Sequence, residues 1–305
     1  MPDWQRAERY INYFGLFLIL AFPVAAAIPV AGYVIETVAL SCVILFAFRR
    51  KRLLLALGSV GSIAITWLVF GFNPMLIGVW AMVIIPGTLL GGLMAEGMTA
   101  VKSFVTAALF MAAISLFIFW SEKETLYQVL DYFQSWTQPE TGIKGDNGND
   151  FAVWGAKVIM IIKRLTPSLM ALSGITQLFI AAIPVLLILR GAGGFAPTFG
   201  DFVFWKMPLN YIYPVGLFII LRMVGGEIIK IVADNFLLFF GIFYTVFGFA
   251  VIEYCFRKLR LSLFLRVLFY IGLFFMQLPG LILMAAVGIF DSYFDFRKVR
   301  AKIIG

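Results

Sequence analysis

The run Phe236-Leu237-Leu238-Phe239-Phe240-Gly241-Ile242-Phe243-Tyr244-Thr245-Val246-Phe247-Gly248-Phe249-Ala250-Val251-Ile252-Glu253-Tyr254-Cys255-Phe256 leads straight into Arg257-Lys258-Leu259-Arg260. It holds 21 residues and one carboxylate, Glu253. A helix of that length rises about 31 Å, the thickness of the hydrocarbon core of a bilayer. The basic cluster behind it is the kind of boundary that membrane spans carry on their cytoplasmic side. Glu253 sits one helical turn before Arg257 and reads as an interfacial acid.

The rest of the chain is of the same kind. Of its 305 residues, 62% are hydrophobic, 17% aromatic and only 13% charged. Soluble domains carry about 25% charged residues, and a soluble fold of this length has too much surface to hide so much apolar material. The net charge of +8 does not point to nucleic acid, because the basic residues fall in short clusters between apolar runs, as in Arg49-Arg50-Lys51-Arg52. Cys42 and Cys255 lie at or inside apolar segments and read as packed small residues. There is no histidine, so the commonest general base and zinc ligand are missing. No P-loop, GxSxG, HExxH or CxxC motif occurs. The sequence therefore predicts no enzyme, no cofactor and no metal site.

Nine apolar runs are long enough to be spans: Ile11–Val30, Tyr33–Phe48, Leu53–Phe70, Met75–Leu93, Val101–Trp120, Ile161–Leu189, Pro208–Val224, Phe236–Phe256 and Phe264–Phe290. The first is read as a retained span rather than a cleaved signal. The expected class is an all-α polytopic bundle of eight or nine spans with an interfacial amphipathic helix. That helix is expected at 126–136, where Leu126, Val129, Leu130 and Phe133 share helical spacing and Tyr132 and Trp136 would sit near headgroups. Gln138–Asn149 reads as a loop. The organisation expected is an N-terminal half over 1–120, a polar segment over 121–150 and a C-terminal half over 151–305.

With the N-terminus (Arg6, Arg9) in the cytoplasm of a bacterial inner membrane, Arg49–Arg52, Lys102, Arg190, Lys206 and Arg257–Arg266 all fall inside. The acidic segment 121–150 falls outside. Nine crossings, however, put the basic tail (Arg297, Lys298, Arg300, Lys302) outside as well. Either the last run is one Pro-kinked span, or it turns back at Gln277-Leu278-Pro279-Gly280 and returns the tail to the cytoplasm.

The C-terminal part carries Phe204-Trp205-Lys206-Met207-Pro208 at the entry of one run and a closing Gly288-Ile289-Phe290-Asp291-Ser292-Tyr293-Phe294-Asp295-Phe296-Arg297-Lys298. This order resembles the bacterial YybS-like membrane proteins, a family of unknown function; Trp205, Pro208, Asp291, Asp295 and Arg297 are the signature positions. The N-terminal half, with Ala25–Ala31 and Gly87–Gly92 among short spans, is similar to the substrate-binding subunits of energy-coupling-factor vitamin transporters. That second resemblance implies a solute and a partner ATPase, and transfers no ligand residue.

Ionisable groups inside lipid are costly and hence functional candidates. Arg222, Glu227, Lys230, Asp234 and Asn235 form one cluster, preceded or interrupted by Gly225-Gly226; a broken helix lining a polar cavity is one reading, a solvated turn the other. Glu36 is the second candidate, either buried or interfacial. Lys157, Lys163 and Arg164 are expected on an interfacial segment that enters the membrane at Pro167. Gly87-Thr88-Leu89-Leu90-Gly91 is a GxxxG and predicts close helix packing. Prolines 23, 29, 86, 167, 184, 214 and 279 mark helix distortions. The expected function is a small-solute-binding or transporter-component protein; a non-catalytic scaffold or assembly protein with a membrane-protein partner is the alternative, and the bilayer is a partner in both.

Overall fold

A computed structural model describes residues 12–21, 29–71, 74–137, 146–191 and 201–297. The expectations for Arg6, Arg9, Pro23, Lys298, Arg300 and Lys302, and for the Trp136 side chain, lie outside the described residues. Among those residues all regular structure is helical: α1 (Asn12–Ala21), α2 (Pro29–Phe48), α3 (Arg52–Phe70), α4 (Pro74–Ala95), α5 (Ala100–Thr137), α6 (Asp146–Gly191), α7 (Ile212–Val224), α8 (Glu227–Lys258) and α9 (Leu263–Phe294), with short 3₁₀ turns at Phe202–Phe204 and Leu209–Tyr211. Six of these are long and apolar enough to cross a membrane, and 12–21, 32–48 and 209–224 are shorter apolar helices.

The chain divides into two compact units, Met1–Phe199 and Gly200–Gly305. The acidic segment 121–150 lies within the first of these units. α6 packs along α5 and also on α2, so it belongs with the N-terminal helices.

In the first unit, α4 lies along α2 at the GxxxG. A Cβ on Gly87 would press on Val43 and Leu40, and one on Gly91 would meet the backbone of Ile44 and Phe48. Without side chains at these two positions the helices approach to backbone contact, which is how helices associate where lipid supplies no hydrophobic drive. α1 is held the same way, with Gly15 against Phe46 and Cys42, and Gly58 of α3 against Ile19.

α5 has 38 residues and α6 has 46, so they rise about 57 and 69 Å, well beyond the thickness of a bilayer. The amphipathic stretch 126–136 is therefore not a separate surface helix but the continuation of α5, paired with the start of α6. Lys163 forms an ion pair with Asp131, and its ammonium lies over the Tyr127 ring. α6 also does not turn at Pro167. Proline cannot donate to the carbonyl four residues back, and the Tyr127 hydroxyl donates to that Lys163 carbonyl at 3.5 Å instead. The continuous helix explains why Lys157, Lys163 and Arg164 lie on a paired stalk rather than on an interfacial elbow.

In the second unit, α7 and α8 form an antiparallel pair joined at Gly225-Gly226, with Phe218 stacked on Phe236 at 4.2 Å. The last helix decides between the two readings of the terminal run. Gln277 has φ 50° and ψ −124°, outside the helical region. A Cβ on Gly280 would lie 2.8 Å from the carbonyl oxygen of Leu273, seven residues earlier. The arm 263–276 runs antiparallel to α8, pairing Phe269 with Phe256 and Tyr270 with Phe249. The arm 278–294 then turns back and crosses over α8, and its end reaches Lys206 and the carbonyls of Val203 and Trp205, in the segment whose Phe204 and Asp201 meet Tyr254 and Arg257 of α8. Thr245 donates to the Leu281 carbonyl at 3.3 Å, Gly248 meets the backbone of Met284, and Gly288 meets that of Tyr244. α9 is thus a helical hairpin, and the chain leaves it at the end of α8 that carries Arg257.

Candidate functional site

Three polar groupings are set by this fold. The first is inside the six-helix unit. Glu36 of α2 faces the side chain of Gln177 of α6. Gln177 is only 4% exposed, and its amide nitrogen has no full hydrogen-bond partner. One turn further, Ser41 donates to the Ala181 carbonyl at 2.9 Å. The pairs 36–177 and 41–181 show that α2 and α6 run parallel. Glu36 lies 13 residues before Arg49, and Gln177 lies 13 before Arg190. Both therefore sit about 20 Å from the basic end of their helices, well inside a bilayer. Glu36 was legible in the sequence; Gln177 was not, since one amide in an apolar run leaves the periodicity unchanged.

The second grouping is the cluster at the α7–α8 turn. Arg222 pairs with Asp234 at 2.5 Å, Lys230 with Glu227 at 3.8 Å, and the Asn235 amide donates to the Ile231 carbonyl. The Arg222 and Glu227 side chains are 58% and 77% exposed. The fold does bring these residues together, but two cations meet two carboxylates at an open helical turn. No net charge and no enclosure is left there to select a solute.

The third lies at the opposite end of the same unit. Arg297 donates twice to one oxygen of Asp291, at 3.2 and 2.7 Å, and also to the carbonyls of Val203 and Trp205. Both side chains are almost completely buried, at 0% and 2%. Asp295 closes the helix in a left-handed conformation (φ 51°) and pairs with Lys206. Beside them, Arg257 binds Asp201 and Glu253, and Arg266 and the Tyr270 hydroxyl also reach Glu253. Pro208 opens the 3₁₀ turn that follows. The signature positions thus sit in a balanced ion network: four acids (Asp201, Glu253, Asp291, Asp295) against four bases (Lys206, Arg257, Arg266, Arg297). Its geometry ties the returning arm of α9 to the segment that precedes α7.

No group of three or more metal-ligating side chains occurs among the described residues. A half-open hollow lined by Ile63, Thr66, Trp67, Leu76, Ile77 and Trp80 is almost entirely apolar and holds no ionisable group.

Long apolar helices, glycine-mediated crossings and ionic groups gathered at helix ends define an α-helical polytopic membrane protein. Within that class the chain belongs to the family described as predicted membrane protein (DUF2232), whose model matches residues 15–292. No curated protein and no solved structure matches it.

Proposed function

We propose that the six-helix unit binds a small polar solute at Glu36 and Gln177, and that the protein is a transporter component of a bacterial inner membrane. The observation that carries this reading is the depth and incompleteness of the pair. A carboxyl and a buried amide that meet only imperfectly between two apolar helices cost stability unless something uses them. A solute with donors for the carboxylate and an acceptor for the amide satisfies both.

Six helices in this unit support the likeness to the substrate-binding subunits of energy-coupling-factor transporters, and with it a separate ATPase as motor. The C-terminal signature supports the YybS-like assignment. The charge bias supports a cytoplasmic N-terminus. Arg50 reaches the Ala95 carbonyl, so the clusters at 49–52 and 95–102 share one end of the bundle. The α9 hairpin likewise sets Arg297 at the end of unit two that carries Lys206, Arg257 and Arg266.

The test is native mass spectrometry of the protein extracted gently from its own membrane. The expected result is a retained small molecule that is lost in Glu36→Ala and in Gln177→Leu but kept in Arg222→Ala. A chain that carries only lipid, wild type and variants alike, overturns the reading. The scaffold alternative is favoured by one observation: only 22% of the apolar windows of α8 and α9 is buried, against 56% for α6, which leaves broad faces open for lateral assembly.

A further inference from the structure

The turn of the α9 hairpin leaves polar groups where a bilayer offers no partner. The helix breaks at Gln277, so the last carbonyls of the rising arm lose their i+4 donors. Pro279 adds no N–H to the turn. Gln277 is exposed, and its amide makes no hydrogen bond within the described residues. The Phe249–Tyr270 pair fixes the depth. Seven residues on from Tyr270, the turn lies near the level of Ile242, roughly 9 Å inside the apolar stretch that begins at Phe236. Irregular backbone at such depth persists only against protein or cavity water.

We propose that a second copy of this chain covers the turn, with each Gln277 hydrogen-bonded to the other across a two-fold axis normal to the bilayer. A primary amide is both donor and acceptor, so it is complementary to itself. A two-fold axis along the membrane normal sets both copies of Gln277 at one depth, a match that an unrelated span would have to meet separately. The surrounding face is apolar and uncharged: Phe274, Phe275, Leu278 and Ile282 are 78%, 77%, 66% and 61% exposed. Nothing on it selects a partner of opposite charge, and aromatic side chains supply the contact area. Amide pairs between helices are a known means of association in lipid.

The experiment uses the full chain in lipid vesicles, with Cys42 and Cys255 replaced by Ser. Leu278→Cys, which keeps the Gln277 amide and lies on the same exposed face, is expected on treatment with a short thiol-reactive cross-linker to give a species of twice the chain mass. Val60→Cys, on an exposed face of α3, is expected to stay monomeric under the same treatment. Energy transfer between labelled copies is expected to show association weakened about tenfold in Gln277→Leu and retained in Gln277→Asn, which keeps the amide and tolerates positive φ. Equal cross-linking at both positions, a monomer at Leu278→Cys, cross-linking to a different protein, or ready reaction of Leu278→Cys with an impermeant maleimide would each overturn the proposal.

Discussion

Gly280 rests against the carbonyl of Leu273. Along a straight helix two residues seven apart are separated by about 10 Å, so this contact exists only because the chain reverses between them. Side-specific labelling checks the reversal. Phe296→Cys is expected to react from the same face of the membrane as Arg260→Cys and from the opposite face to Glu227→Cys. Labelling of Phe296→Cys from the Glu227 side would mean that α9 crosses.

The two helices of the returning crossing depend on small residues. A Cβ on Gly248 would overlap the Met284 backbone, and one on Gly288 the Tyr244 backbone. Backbone cannot move aside as a side-chain end can. Gly248→Ala and Gly288→Ala are each expected to lower stability by about 1–3 kcal/mol. Gly272→Ala is the control, since open space surrounds that position. Its expected effect is neutral or slightly stabilising, read as the midpoint of thermal unfolding in detergent.

Arg297 and Asp291 are buried together, and one carboxylate oxygen of Asp291 has no partner. Removing one member strands the other. Arg297→Met or Asp291→Leu alone is expected to cost about 3–5 kcal/mol, and the double substitution distinctly less than the sum. A double-mutant cycle on unfolding free energies measures this coupling. Additive effects would show that the pair is not the element that holds the segment.

The paired extension of α5 and α6 predicts proximity rather than large energy. Asp131 is 59% exposed, so Lys163→Ala is expected to change stability by less than about 1 kcal/mol. In contrast, Asp131→Cys with Lys163→Cys is expected to be joined by a short bifunctional thiol cross-linker in the membrane. A helix lying flat on the bilayer from residue 121 would keep these positions apart and give no cross-link.

Gln177 separates stability from function. Its amide nitrogen is buried and meets Glu36 only imperfectly, so Gln177→Leu is expected to change the stability of the fold by no more than about 1 kcal/mol. The same substitution is expected to abolish solute retention. Loss of both together would assign Gln177 to packing.

Much of the fold was legible because a span announces itself. The runs at 53–70 and 75–93 are each a single stretch of hydropathy and each is a helix within a few residues of its expected ends, whereas the run at 236–256 is the apolar part of a helix that begins earlier, at Glu227. The Gly87–Gly91 spacing likewise reports a crossing that needs no other information. What a one-dimensional reading missed was made by pairing. The stretch 126–136 has the composition of a surface helix, and only its partner at 163 makes it a stalk. The charged tail hinted at the α9 hairpin, since basic residues resist being left outside, yet hydropathy alone could not distinguish a kink from a reversal. At the candidate site the sequence supplied Glu36 but not Gln177. It grouped 222–235 correctly in space without revealing that its charges neutralise one another. Arg297 meets Asp291 only because Asp295 takes a left-handed turn, and no periodicity records that.

The hairpin also bears on how the chain enters its membrane. The α9 segment is hydrophobic enough for insertion machinery to treat it as one more crossing, and hydropathy by itself would export whatever follows. Its two halves reach their final arrangement only after α8 is in place to receive them. The Arg297–Asp291 and Lys206–Asp295 pairs are the polar contacts that hold the end of the last helix in that arrangement. The final fold of α9 is therefore expected to form late, after α8, and to depend on these polar contacts rather than on the hydrophobicity of that helix alone.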